Sequence, residues 1–521
     1  MDGFLATGGA ALSEVLASVG VVAAAACAAA AILLPRGRAR SAAMLAALTL
    51  FPLLIAGDQW HSPQFVDLRD DSLGFAALIA GALVAAAVLA AAFRRWTIAL
   101  PLAIVFALPF RVPLEAGGDT ANLLVPLYLV IAGGVLAAAV RDWSYRPAGP
   151  VAAGDPPPPA VAKASSGVVP PTTPPAGAAA WLPRILAAVV VLYALQTLYS
   201  PDFSKSLQNV CFFFVPFSLV YALLRDVDWS QKLLALVLGV LALEAVAFVL
   251  VGSVEYLTRE LFWNDQVIRS NEFHTYFRVN SIFWDPNIYG RYLALVITVA
   301  MAALLWVKER RTFALLVGLV GVLWIGLVPT FSQSSFAALL GGLAVLAAIR
   351  WSVKWTLVAV GAGVVAAVLV VIFAGGVSKL NPSRINVDTG GRANLVSGGA
   401  ELFAKRPLWG YGAGSFPRAY REHIATKKAP VSVSHTQPIT VAAEQGLIGL
   451  AAYLALLATA LWTLATGIRT SLSSARPAVL AAFVALLVHT MAYAGFFEDP
   501  IAWALLAIGA SLAAAQVRPS A

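Results

Sequence analysis

Charged residues are scarce in this chain of 521 residues, at 12% of the sequence. Hydrophobic residues make up 60%, and the mean hydropathy is +0.82. This composition excludes an ordinary soluble domain. Apolar runs recur along the chain, each close to the roughly 20 residues that cross a membrane as a helix. Alternating patterns typical of membrane β-strands are missing. We predict an all-α polytopic membrane protein.

Motifs for metals, nucleotides and disulfides are also lacking. Cys27 and Cys211 both lie in apolar runs, which favours two buried free thiols over a disulfide. Cys/His clusters with zinc spacing and a Gly-rich phosphate loop are absent. Asp226-Val-Asp228 resembles a carboxylate pair that holds a metal bound to a nucleotide sugar, but we interpret it as interfacial charge in a short loop. We therefore expect neither a metal nor a cofactor.

The hydropathy pattern predicts about 14 to 15 transmembrane helices and a large extracytoplasmic loop domain with short helices. Met1 to Ser13 has no basic n-region, so no cleavable signal peptide is expected. A Pro/Ala/Gly-rich segment cannot bury a core and predicts a cytoplasmic linker. The predicted units are a five-helix block at 1–146, the linker at 147–180, a transmembrane block at 181–375 with an outer loop at 254–286, a catalytic loop at 376–445, and C-terminal helices at 446–521.

The distribution of cations predicts the orientation. When alternate loops are placed on opposite sides, nineteen Lys and Arg fall on one side. The short loops of the other side hold only Arg69, Arg111 and Lys205. The positive-inside rule makes the first side cytoplasmic, so both long loops lie outside. Because basic residues report orientation in such a protein, the net charge of +9 does not indicate a nucleic-acid partner.

The predicted outer loop at 376–435 is strongly basic, with nine Lys and Arg against three Asp and Glu. This excess favours an anionic partner such as a diphosphate or a lipid head group. A solvated surface is the alternative for any single lysine. Arginine suits a phosphate better, because it donates two parallel hydrogen bonds. Arg392 and Arg418 are the candidates within this loop.

His435 precedes a predicted helix start, with Pro438 suited to its first turn. Such a position favours anions, and an imidazole near its usual pKa can accept a proton from a hydroxyl. Alternatively the histidine is structural or solvated. Gly446 and Gly449 would let another helix approach closely. Glu444 could orient the histidine or an arginine, or be a solvated interfacial carboxylate.

The earlier outer loop combines cations, amides and aromatics at a membrane boundary. Asp285-Pro286-Asn287 predicts a turn and a cap leading into the next span. Aromatic residues there are typical interface anchors. Arg278 and Arg291 are not explained by capping, which makes them candidates for substrate binding.

Together these motifs resemble the O-antigen ligase and polymerase superfamily. The resemblance covers about residues 180 to 515 and rests on His435 followed by Gly446-Leu-Ile-Gly449, Gly391-Arg392, Pro407-Leu-Trp-Gly410-Tyr-Gly-Ala-Gly414-Ser-Phe416, and Arg278 upstream of Asp285-Pro-Asn287. It implies an inverting, metal-independent glycosyltransferase of the GT-C type in the bacterial inner membrane. Such an enzyme moves a glycan from a polyprenyl diphosphate, such as undecaprenyl diphosphate, to an acceptor hydroxyl on the outer face.

Carried over by position, His435 is the acceptor-activating base, and Arg278 and Arg392 hold the diphosphate. Two positions depart from the family pattern. Thr436 stands where ligases more often have Asn, Ser or Gln, and Gln333 stands where relatives often have an arginine, a cation that Arg291 could supply. The predicted substrate-binding residues are Arg291, Asn287, Glu444, Arg418 and Gln333.

Two other classes of function remain open from the sequence. A flippase or exporter of lipid-linked oligosaccharides would be expected to carry charged or polar residues along several spans, whereas here such residues gather in the outer loops. A non-catalytic scaffold of a polysaccharide-assembly complex would tolerate substitution of the arginines. The predicted partners are a polyprenyl diphosphate-linked glycan, a glycan or glycolipid acceptor, and membrane lipids.

Overall fold

The computed structural model describes residues 2–116, 119–144, 178–273, 276–375, 391–424, 433–468 and 474–515. The predicted linker lies almost wholly outside these residues, as do 376–390 and 425–432 of the predicted catalytic loop. The described part contains twenty α-helices: α1 Asp2–Leu33, α2 Arg38–Asp58, α3 Pro63–Asp70, α4 Ser72–Arg95, α5 Ala99–Ala107, α6 Val125–Ser144, α7 Ala178–Thr197, α8 Phe203–Asn209, α9 Val215–Leu224, α10 Gln231–Thr258, α11 Asp265–Phe273, α12 Pro286–Trp306, α13 Arg310–Leu327, α14 Gln333–Arg350, α15 Val353–Gly375, α16 Arg392–Lys405, α17 Phe416–His423, α18 Gln437–Ala465, α19 Ala475–Thr490 and α20 Pro500–Ala515.

The all-α polytopic class is confirmed. Eleven helical stretches are long and apolar enough to cross a membrane, and three shorter apolar helices accompany them in the described residues. One of the eleven is continuous only through a π-helical turn at Val210–Phe214, which joins α8 to α9. A small antiparallel hairpin, β1 Val112–Ala116 with β2 Asp119–Leu123, follows the nine-residue α5. The sequence did not predict this hairpin.

Side-chain caps begin several helices where the sequence places Ser or Asp before an apolar run. Ser230 accepts a hydrogen bond from the Leu233 amide at 3.3 Å and starts α10. Ser332 does the same for α14 through the Ser335 amide. Such caps satisfy backbone donors that the helix itself leaves unpaired. They fix the residues at which the chain re-enters the bundle.

Four apolar clusters form the interior of the described part, and two of them are large. The larger is centred on α9, every residue of which is buried, and it joins α1, α2 and α6 to α7, α18, α19 and α20. The second joins α10, α12 and α13. The predicted N-terminal block therefore packs directly onto helices of the second half. Both cysteines are free thiols, as predicted, but only Cys211 is buried, whereas Cys27 is partly exposed.

Asp226 lies at one end of the bundle among three arginines. It is paired with Arg36 at 3.2 Å, Arg225 at 3.5 Å and the buried Arg40. These guanidinium groups hold the pKa of the Asp226 carboxyl below its usual value against the effect of its own burial. The ion pairs support the interpretation of Asp226-Val-Asp228 as interfacial charge.

At the other end, which we call the site end, α10 ends and α12, α14, α18 and α20 begin. A glycine loop, Pro407–Phe416, docks there into a break in α18. Gly446 interrupts α18 with φ 63° and ψ −163°, a conformation that only glycine adopts readily. A Cβ on Gly446 would lie 2.4 Å from the Leu408 carbonyl oxygen. The expectation that another helix approaches Gly446 is therefore wrong, because the loop backbone occupies that space.

Backbone pairing holds the glycine loop in the break. The Leu447 amide donates to the Pro407 carbonyl at 2.7 Å, and the Gly412 amide donates to the Glu444 carbonyl at 2.8 Å. Gly410, Gly412 and Gly414 all have positive φ. α18 also begins at Gln437, nine residues before the predicted start of the span at 446. The first turns of α18, before the break at Gly446, therefore pack against the glycine loop.

Substitution of Gly446 by Ala should destabilise the protein by at least roughly 1–3 kcal/mol from backbone strain alone, with additional loss as the loop is displaced. Gly239 in α10 is the matched control, since a Cβ there meets nothing within 4 Å. Thermal unfolding in detergent checks both variants. A Gly446→Ala protein as stable as Gly239→Ala would contradict the docking described.

Substitution of Asp226 by Ala leaves the buried guanidinium of Arg40 without its counter-charge, and we expect a loss of about 3 kcal/mol. Glu422→Ala removes an exposed i,i+4 pair with Arg418 and should cost under about 0.5 kcal/mol. Urea unfolding of both variants measures the difference. Equal effects would show that the Asp226 cluster is not a structural anchor.

Candidate functional site

Arg278 is held at the site end by neutral acceptors. Its Nε donates to the Thr330 carbonyl at 2.8 Å, and its Nη2 donates to Asn287 Oδ1 at 3.2 Å. Asn271 fixes the backbone of Arg278 by bonds of 3.1 and 3.0 Å to its amide and carbonyl. Burial lowers the pKa of the guanidinium, and Asp285 opposes this effect. The charge is thus oriented, and no acid among the described residues forms a direct ion pair with it.

Asp285 links this arginine to the rest of the site. Its Oδ1 accepts from the Asn287 amide at 2.6 Å and caps α12, as the sequence predicted. Its Oδ2 accepts from the Tyr493 hydroxyl at 3.3 Å. The negative charge of Asp285 acts on both Arg278 and His435. One carboxylate therefore adjoins both predicted functional groups.

His435 lies immediately before α18, as predicted, with a left-handed φ of 60°. Partial burial lowers the pKa of its imidazole below the usual value, the charge of Arg392 lowers it further, and that of Asp285 raises it. A depressed pKa leaves the ring neutral at pH 7, which is the state that accepts a proton. Arg392 is the first residue of α16, after Gly391 with φ 85°, and its charge also acts on Arg278.

The loop Met491–Asp499, between α19 and α20, forms the remaining wall. The Tyr493 ring lies 6.2 Å from the His435 ring and 5.6 Å from the ring of His489. Gln437 Oε1 accepts from the amides of Gly495 at 2.7 Å and Phe496 at 3.0 Å. The wall is thus tied to the first turn of α18, two residues after His435.

Sequence reasoning missed this wall. The loop lies between two short apolar helices and was assigned to the ends of spans, and its partners are distant in sequence. The signal that could have revealed it is Glu498-Asp499-Pro500, a capping pattern preceded by the polar Tyr493. Asp499 Oδ1 does accept from the Ile501 amide at 2.9 Å at the start of α20.

Glu444 lies in α18 and is buried. Its two carboxylate oxygens accept from the amides of Gly414 and Phe416, both at 3.0 Å. It therefore anchors the glycine loop. It also borders a cavity lined among others by Lys205, Asn209 and Glu498. Burial raises the pKa of the Glu498 carboxyl.

Arg291 lies in α12 one turn beyond Asn287 and is only 3% exposed. Its Nη2 is 2.9 Å from Asp499 Oδ2. This contact is an ion pair without the alignment of a hydrogen bond, because Asp499 Oδ2 has no hydrogen-bond partner among the described residues. Arg291 Nη1, the other terminal nitrogen, also has none there. Arg111, from the chain between α5 and the hairpin, lines a small cavity together with Arg291 and Asp499, apart from the cavity at Glu444.

Two predicted substrate-binding residues are placed on the surface. Arg418, on α17, donates to Glu422 at 3.0 Å and to the Pro201 carbonyl. Gln333 begins α14 with an exposed side chain. The structure thus brings His435, Arg278, Arg392 and Asn287 together, with Arg291 one turn deeper. In the described ranges, no cluster of three His, Cys, Asp or Glu side chains could hold a metal.

Comparison with protein families adds an independent finding. Residues 318–454 match the family model described as O-antigen ligase. The matched segment runs from α13 into α18 and contains Arg392, the glycine loop, Gly446 and His435, while Arg278 precedes it. No curated protein matches the chain. The resemblance predicted from the sequence is confirmed over this segment. Residues 318–454 are thus similar to the O-antigen ligase family.

Proposed function

We propose that the protein is a membrane glycosyltransferase that moves a glycan from a polyprenyl diphosphate to an acceptor hydroxyl. The observation that carries the proposal is the convergence of a neutral imidazole with two arginines at one end of the bundle. Arg392 exerts its positive charge on both His435 and Arg278, and the charge of Asp285 acts on the same two residues. The match to the O-antigen ligase family supports glycosyl transfer in a membrane.

In the proposed reaction, the acceptor hydroxyl oxygen attacks the anomeric carbon of the donor glycan. The bond between that carbon and the diphosphate oxygen breaks, and the hydroxyl proton passes to His435. The leaving polyprenyl diphosphate keeps the electron pair. Arg278 and Arg392 stabilise the charge that develops there. A single displacement inverts the anomeric centre.

No energy source is needed, because a glycosyl diphosphate already carries a good leaving group. The enzyme must align the two substrates and supply cations and a base. Backbone and amide acceptors fix the Arg278 guanidinium before substrate binds, so little reorganisation is required. The mechanism uses no metal, and the residues named for it are a histidine and two arginines.

The proposed location of the chemistry is the extracytoplasmic face of a bacterial inner membrane. The opposite end of the bundle holds Arg36, Arg40 and Arg225 around Asp226, in agreement with a cytoplasmic surface by the positive-inside rule. The site end then faces outward, where a donor that has been flipped across the membrane is available.

Substitution of His435 or Arg278 by Ala should reduce transfer by roughly 10²-fold or more, because a general base alone contributes about 10²–10⁴-fold. Purified protein is incubated with a polyprenyl-diphosphate glycan and an acceptor membrane fraction, with and without EDTA. Mass spectrometry then measures released polyprenyl diphosphate and glycosylated product.

Arg69→Ala is the control for a cation at the site end but away from the site, and it should retain full activity. Loss of activity in EDTA would overturn metal independence. Full activity in His435→Ala would remove the base assignment. Movement of the labelled donor between leaflets without product would instead indicate a flippase.

The pH dependence of transfer gives a second test, in which two substitutions should shift the pH profile in opposite directions. Because the base acts when neutral, activity should rise with pH through the His435 pKa, which lies below the usual value of about 6.5. Asp285→Asn removes a charge that raises this pKa, so the acidic limb should move to lower pH. Arg392→Gln removes a charge that lowers it, so the limb should move to higher pH.

The activity of each variant, relative to its own maximum, is measured from about pH 4.5 to about pH 8. Steps of about half a pH unit resolve the shifts of about one unit that are typical of protein side chains. Asparagine remains a good N-cap for α12, so Asp285→Asn should fold. Shifts of the same sign in both variants would contradict the proposed electrostatic control of His435.

A further inference from the structure

A second group of cations lies deeper than Arg278, in a small cavity between the N-terminal block and α12. Arg111 comes from the chain after α5, and Arg291 lies in α12. Both line the cavity together with Asp499. Asn287, which holds Arg278, is one helical turn from Arg291 and on the same face of α12. The cavity therefore continues the line of cations that begins at Arg392.

The charge in this cavity is not balanced by its ion pair. Two guanidinium groups line the cavity with the carboxylate of Asp499, which is 2% exposed. Glu498, outside this lining, is a second acid, whose pKa burial raises and the charge of Arg111 lowers. Arg291 Nη1 is buried without a hydrogen-bond partner in the described residues. Burial lowers the pKa of Arg111, Asp499 raises it and the like charge of Arg291 lowers it. Since a buried charge without a partner is costly, an anion entering here would be stabilised.

The other walls of the cavity are apolar, with Leu108, Phe283, Ile288 and Ile501 among the lining side chains. Its interior holds at most about one water molecule. A single phosphate oxygen, which is about the size of a water molecule, is the largest anionic group that fits between the guanidinium groups, and the rest of the phosphate must lie at the mouth of the cavity. The apolar walls exclude water from an oxygen held there, which favours a phosphate attached to hydrocarbon outside the cavity over a fully hydrated phosphate. The chemistry is thus that of a phosphate monoester of a long hydrocarbon chain.

Tyr493 joins the cavity to the candidate site. The charges of Arg111 and Arg291 act on its hydroxyl, together with that of Asp285, the acceptor of its hydrogen bond. The Tyr493 ring also lies beside His435. A ligand phosphate at the cavity would therefore lie on the lipid side of the proposed chemistry.

We propose that Arg111 and Arg291 bind the phosphate of a polyprenyl phosphate, and that the N-terminal block thereby supplies part of the donor site. The inference rests on the proposed function and extends it. The phosphate next to the polyprenyl chain would lie at Arg111 and Arg291, and the phosphate next to the glycan at Arg278 and Arg392. Asp499 holds Arg291 in place until the anion arrives.

Direct binding tests the inference without any transfer reaction. Full-length protein in detergent is titrated with a polyprenyl monophosphate, and native mass spectrometry measures the bound fraction. Arg111→Gln should weaken binding about tenfold or more, since hydrogen bonds to charged groups contribute about 1.5–3 kcal/mol. Arg111→Lys should recover part of the affinity, because it keeps the charge without the paired donors.

Arg69→Gln is the matched control from the same block. Its guanidinium packs over the Trp60 ring at 5.0 Å, away from the cavity, so its affinity should equal that of the wild type. Thermal unfolding of each variant identifies any that is misfolded. For a misfolded Arg111→Gln protein, the comparison is made between Arg111→Lys and wild type, with weaker binding again expected.

Two further ligands distinguish the source of the phosphate. Inorganic phosphate and phosphatidylglycerol should both bind more weakly than polyprenyl phosphate. Substitution of Arg111 should change the affinities for these two ligands less than the affinity for polyprenyl phosphate. Equal binding of phosphatidylglycerol would assign the cavity to general anionic head groups and overturn the inference. Unchanged affinity for polyprenyl phosphate in the Arg111 variants would overturn it as well.

The inference and the proposed function can fail separately. His435→Ala should bind polyprenyl phosphate like the wild type while losing transfer. Arg111-dependent binding in a protein that transfers no glycan would disprove the proposed function and leave the phosphate site standing. Transfer that depends on His435 but not on Arg111, with unchanged lipid binding, would disprove only the phosphate site.

Discussion

The site depends on one carboxylate, that of Asp285, where four parts of the chain meet. It caps α12, accepts the Tyr493 hydroxyl, and exerts its charge on Arg278 and His435. If a carboxylate paired directly with the arginines, it would neutralise the positive charge that an anionic substrate needs. Here both oxygens of Asp285 have other donors, so it orients its neighbours without a direct ion pair to Arg278. The positive potential of the arginines therefore remains available to a ligand.

A second constraint is the break in α18. A continuous helix would leave no space for the glycine loop, and α16 and α17 would lose the surface on which they rest. Gly446 opens that space, and Glu444 fastens the loop through two backbone amides. The helix that carries the residues after His435 is thus fixed to the segment that carries Arg392. The helix break therefore also determines the positions of His435 and Arg392 relative to each other.

The sequence predicted the features that depend on local chemistry. Apolar run lengths indicated the membrane helices, and Asp285 before Pro286 indicated a helix cap. The position of His435 before a proline-containing first turn was also predicted. What it could not predict depends on contacts between distant segments. Tyr493, Asp499 and Arg111 look unremarkable along the chain, and the role of Glu444 requires knowledge of which loop lies above it. Gly446 was interpreted as a helix-packing glycine because its left-handed backbone is invisible in the sequence.

The central claim is that His435 and Arg392 act in one site on one reaction. A double-mutant cycle on kcat/KM for glycan transfer tests this directly, with His435→Ala, Arg392→Ala and the double variant. Residues that act as a unit lose their contributions together, so the double variant should be about as impaired as the more impaired single variant. Losses that multiply fully would show that the two residues work independently and would contradict the account.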